Sequence, residues 1–139
     1  RFEAAARVVP ELFGALETLQ GRQLAGVINS LGVRRETAAV PVLRRIAAQP
    51  GHSAAAEAVG ALGLIADPAA AQVLGEILRN GDRKLREAAA HSALIAAERL
   101  TTAGHNAAAA KLLETSLQAV PAGPAAEAAR RQLSLRRAG

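Results

Sequence analysis

One offset recurs along the chain and restricts what it can fold into. Val9-Pro10-Glu11-Leu12 aligns with Val40-Pro41-Val42-Leu43, and the segment Asp67 to Leu74 follows at the same spacing, so that Leu12, Leu43 and Leu74 stand 31 residues apart. Ile46 maps onto Ile77 and Leu31-Gly32 onto Leu62-Gly63 with the same offset of 31, while Ala93-Leu94 follows Ala61-Leu62 at 32. Periods of this length are the mark of stacked repeats, in which each unit is one supersecondary element that cannot bury its apolar face alone.

Each unit reads as two helices. From Thr37 to Ala48, apolar residues fall at Ala39, Val42, Leu43, Ile46 and Ala47, the spacing of one helical stripe, with Arg44 and Arg45 on the opposite side. Pro50-Gly51 breaks this helix. A second stripe, Ala55, Ala58, Val59, Leu62 and Ile65, runs through Ser53 to Ala66. Asp67 then reads as an N-cap with Pro68 at the first helical position. The third unit runs from Ala69 to Arg79, turns at Asn80-Gly81 and restarts at Asp82. Pro10 and Pro41 lie just inside their helices, which are expected to start late or bend there.

The fourth unit leaves the register. The second helix of unit three is expected to run from Asp82 to about Ala103 and stop at Gly104, and Val73-Leu74 maps onto Leu112-Leu113 at 39 rather than 31. The eight extra residues are about two helical turns. Gly123-Pro124 opens a last helix, Ala125 to Arg136. The expected fold is an all-α solenoid of about four antiparallel helix pairs, with units at about 1–35, 36–66, 67–104 and 105–139.

Composition supports this. Half of the residues are hydrophobic yet only 1% are aromatic; alanine, at roughly a quarter of the chain, makes up the difference. Small side chains let helices approach closely, and Leu, Ile and Val at fixed columns fill what is left. Cys, Met, Trp and Tyr are absent, which excludes a disulfide scaffold and a thiolate metal site. A chain that is 50% hydrophobic and 21% charged is not of the disordered type. Ala58 to Ala66, the longest apolar run, is too short to cross a bilayer. The chain opens on Arg1 with no signal pattern after it and reads as a piece of a longer polypeptide.

Val40-Pro41-Val42-Leu43, Ala61-Leu62-Gly63 and Asp67-Pro68 together resemble the HEAT-like repeat family, and Asp82 with Leu85-Arg86 and Ala88-Ala89 resembles its Asp…(Val/Leu)-Arg…Ala-Ala signature. In the last unit Ala109, Leu113 and Pro121 are partly similar to a tetratricopeptide half-motif, with Ser116 where that pattern has Ala. The resemblance implies a right-handed solenoid used as an interaction surface, of the kind found in large bacterial multidomain proteins. It implies turn and inter-repeat hydrogen-bonding roles for Asp82 and Arg86.

The chemistry that an enzyme would need is not evident. His52, His91 and His105 have no paired ligand spacing. His91 falls in the column of Ile28 and Val59 and is expected to be partly buried, with Glu87 one turn before it as a partner; a surface pH-sensitive contact is the alternative. Ser53 follows His52 and Ser92 follows His91, but adjacent helical residues do not face each other. No phosphate loop is present. No catalytic, cofactor or metal residue is therefore assigned, and the expected role is protein–protein interaction or domain spacing.

Two surfaces are candidates. One is the column Asn29, Gly60 and Ser92, small or polar residues at matched places in successive second helices; close helix packing explains the same residues. The other is Arg79, Arg83 and Lys84 around the Asn80-Gly81 turn. The net charge of +5, from 17 bases and 12 acids, admits nucleic acid as an alternative partner. Bases scattered among Glu residues read better as solvated helix faces. The aromatic residues are Phe2 and Phe13 alone, which leaves little for base stacking.

Overall fold

The computed structural model describes Leu16, residues 19–49 and residues 51–138. The Val9 to Leu12 motif, Phe2, Phe13 and Pro50 lie outside the described residues. Among those described there are seven α-helices and no strand: α1 (Gly21–Val33), α2 (Val40–Ala48), α3 (Ala55–Ile65), α4 (Pro68–Asn80), α5 (Arg83–Thr102), α6 (Asn106–Ala119) and α7 (Pro124–Ala138). A 3₁₀ turn, Thr37–Ala39, precedes α2. None of these helices is long and apolar enough to cross a membrane.

The helices pack in two rows. α2, α4 and α6 form one, each against the next; α1, α3, α5 and α7 form the other; within pairs, α2 lies on α3, α4 on α5 and α6 on α7. This is an all-α solenoid, and its core is one continuous seam between the rows. Ile28, Leu43, Leu62, Leu74, Leu100 and Leu113 are fully buried along it. Alanines fill the gaps between them: the inward face of α5 is Ala89, Ala90, Ser92, Ala93, Ala96, Ala97 and Leu100.

Local chemistry sets the helix ends. Pro41 sits in the first turn of α2, where it sacrifices no intrahelical bond, and the helix begins late, after the 3₁₀ turn. The stripe Ala39, Val42, Leu43, Ile46 and Ala47 is buried, and Arg44 and Arg45 are exposed. The Asp67 carboxylate accepts from the Ala70 N–H at 2.7 Å, and the Asp82 carboxylate from the Leu85 N–H at 2.8 Å. Both satisfy a first-turn donor that the helix itself leaves open.

The chain leaves α1 and α3 through the same repeat position. Arg35 (φ +54) and Ala66 (φ +50), 31 residues apart, are both left-handed. The third equivalent, Ala97, stays helical, and α5 runs on to Thr102 before Gly104 (φ +89) turns it. That is where the extra residues of the third unit go.

The register differs from the sequence expectation at one place. The offset stays at 31 through α5 rather than moving to 32: Ile28, Val59 and Ala90 are buried equivalents, as are Leu31, Leu62 and Ala93. In an alanine-rich stretch the Ala-Leu dipeptide matches at more than one offset, and close packing decides. A Cβ on Gly32 would lie 2.8 Å from Ala61 Cα, and one on Gly63 would lie 2.9 Å from Ser92 Cβ. Ala61 and Ser92 are thus the matched small residues that let α1 meet α3 and α3 meet α5.

Candidate interaction surface

This register rearranges the candidate column. Asn29 is exposed and Gly60 half-buried, with open space where a Gly60 side chain would be. Ser92 is 6% exposed and abuts Gly63, so it belongs to the α3–α5 contact and not to a surface column. The residue that continues Asn29 and Gly60 outward is His91. Its place in the sequence predicts a partly buried side chain beside Glu87; it is exposed, because Ala90 takes the apolar column, and the Glu87 carboxylate is with Arg83 at 3.4 Å.

The basic cluster around the Asn80-Gly81 turn also separates. Arg83 and Lys84 are exposed in the first turn of α5, Arg83 paired with Glu87 one turn on. Arg79 projects from the last turn of α4 and folds back over Gly75. On the same row, Arg44 Nε meets Glu76 Oε2 at 3.0 Å and ties α2 to α4.

Arginines carry inter-unit hydrogen bonds that sequence reasoning missed. The last carbonyls of α3 have no partner within their own helix. The Arg35 guanidinium donates to Ile65 O at 3.2 Å from the preceding unit, and the Arg99 guanidinium donates to Leu64 O at 2.6 Å from the following one. Two cations at one helix C-terminus also suit the helix dipole. Nothing in the sequence signals this role for Arg99, which sits between Glu98 and Leu100-Thr101-Thr102 like any base near a helix end.

Grooves lie where successive pairs meet at their turns. The first, about 460 Å³, is walled by Leu16, Leu24, Val42 and Ile46. The second, about 600 Å³, is walled by Ala47, Ala56, Val73, Ile77 and Leu85. Gln49, His52 and Ser53 line both. His52 is held there by a local bond: Nδ1 accepts from the Ala54 N–H at 3.0 Å, just before α3 begins. In the neutral ring this leaves Nε2 as the protonated donor. Among the described residues no group of three or more His, Asp or Glu converges to hold a metal ion.

A family model for HEAT repeats matches residues 9–95. The chain belongs to the HEAT-repeat family. No curated protein and no solved structure gives a match. The HEAT match stops two residues before Ala97, where α5 continues instead of turning out at the repeat's left-handed exit. The last pair, α6 and α7, lies beyond it; there Ala109 and Leu113 are fully buried and Ser116, in the place of an alanine, is 3% exposed. HEAT repeats are commonly protein-interaction scaffolds and typically non-catalytic. Of the HEAT signature, Asp82 is a helix cap, while inter-unit bonds come from Arg35 and Arg99.

Proposed function

We propose that this chain is a non-catalytic HEAT-repeat scaffold that holds a protein partner, or flanking domains of its own polypeptide, along the junctions between its helix pairs. The observation that carries this reading is the series of two grooves at successive junctions, joined by Gln49, His52 and Ser53. A segment lying along that edge meets an apolar floor and a polar rim twice, one repeat apart. Serial, similar sites are what a solenoid offers and a compact enzyme does not.

The alternative partner is nucleic acid, bound through the exposed bases of the α4–α5 turn. Arg83 is already paired with Glu87, which speaks for the protein reading. Affinity capture with this chain as bait, with and without nuclease, separates the two. A stoichiometric protein partner that survives nuclease, and is lost from an Ala56→Arg variant with a blocked second groove, supports the scaffold reading. Binding only to nucleic acid, falling steeply with salt and with loss of Arg83 and Lys84, replaces it.

A further inference from the structure

We infer that the groove between α4 and α6 binds an acidic segment of a protein partner, one in which carboxylate side chains flank an apolar residue. The inference rests on the scaffold reading and names the partner's chemistry. The groove encloses about 410 Å³; Ala71, Gly75 and Leu112 contribute its apolar wall, and Arg79 and Lys111 its charge. No Asp or Glu lines it. Among the described residues the ion pairs join Arg44 with Glu76 and Arg83 with Glu87, which leaves Arg79 and Lys111 without a carboxylate.

Gly75 is the second observation. Gly32 and Gly63 are required by a neighbouring helix backbone or Cβ, but a Cβ on Gly75 would meet only the Arg79 guanidinium, at 3.4 Å from Nη1 and 3.8 Å from Nη2. Nothing in the packing of α4 demands a glycine there, and glycine is a poor helix former. The Arg79 head group lies over it at ordinary contact distance. A cation in the last turn of a helix serves the dipole when it reaches toward the C-terminal carbonyls. Arg79 leans back over the preceding turn, the usual tilt of a helical side chain, and its charge faces the groove that Lys111 also lines. Two cations over an apolar wall complement a carboxylate next to a Leu-like side chain. A nucleic-acid backbone would use the charges and leave the apolar wall uncovered, and no aromatic side chain lines the groove for a base to stack on.

The test is a titration of the whole ¹⁵N-labelled chain at low salt, followed by amide shifts. The probes are a synthetic peptide containing Glu-Leu-Glu, its Gln-Leu-Gln counterpart, and oligo(dT). The Glu peptide is expected to move the amides of Gly75, Arg79, Lys111 and Leu112 and to weaken with salt. The Gln peptide, and the Arg79→Gln/Lys111→Gln double variant, are each expected to reduce affinity about tenfold. Equal binding of the two peptides, or no shift with any probe, overturns the inference. Tighter binding of oligo(dT) in the groove overturns it in favour of nucleic acid. Shifts confined to the junction grooves overturn it and leave the scaffold reading standing.

Discussion

Replacing Gly63 by Ala sets two effects of known size against each other. In a helix interior this change ordinarily stabilises by about 1 kcal/mol, because Ala restricts the unfolded chain. At Gly63 the new methyl would lie 2.9 Å from Ser92 Cβ, 3.0 Å from Ser92 O and 3.1 Å from Ser92 Cα. Carbon atoms rest about 3.5–4.0 Å apart, so α3 and α5 must part by roughly 0.5–1 Å, which forfeits a good part of the dispersion along their contact. Ser92 is on a helix and two of the three atoms are backbone, so no side-chain rotation relieves the clash. Overpacking of this kind costs about 1–3 kcal/mol. The net expectation is a loss of about 1–2 kcal/mol at the upper end of that range. Gly60, three residues earlier on the same helix, has nothing within 4 Å of its would-be Cβ, and Gly60→Ala should stabilise by about 1 kcal/mol. Gly32→Ala and Gly26→Ala repeat the contrast in α1, where Gly32 meets Ala61 Cα at 2.8 Å and Gly26 meets nothing. Urea unfolding of the four variants checks the reasoning. If Gly63→Ala raises the midpoint as much as Gly60→Ala, the close crossing of α3 and α5 is refuted.

Leu43→Ala and Leu74→Ala, both fully buried, should each destabilise by about 2–5 kcal/mol in the same assay. Arg99→Ala should cost about 1–2 kcal/mol, since it leaves Leu64 O without its 2.6 Å donor at the end of α3. Asp67→Ala and Asp82→Ala should each cost about 1 kcal/mol through lost N-caps, with early hydrogen exchange confined to the first turns of α4 and α5.

Much of the architecture was legible because it rests on periodicity. The stripe on α2, the caps Asp67 and Asp82, the break after Ala48 and the long α5 ending at Gly104 all follow from residue type and spacing. The register of α5 did not, because Ala89, Ala90, Ala93, Ala96 and Ala97 fill its inner face and identity no longer distinguishes one column from the next. Only the contact of Ser92 with Gly63 decides it, and that is a tertiary fact. The left-handed exits were equally hidden: the usual signal is Gly or Asn, and here the positions hold Arg35 and Ala66. The candidate surface was legible as residue types and not as places. Arg79, Arg83 and Lys84 are neighbours in sequence, yet helix direction sends Arg79 toward α6 and leaves the other two at the start of α5.

The stacking of each second helix on the next is read most directly from proton–proton contacts in a NOESY spectrum of the folded chain. Cross-peaks are expected between Gly32 Hα and Ala61 Hα, and between Gly63 Hα and the Hα and Hβ of Ser92, the same 29-residue separation at two successive junctions. Gly63 contacts with His91 or Ala93 in place of Ser92, or no contact between these helices, would contradict the repeat register on which the fold and both binding surfaces depend.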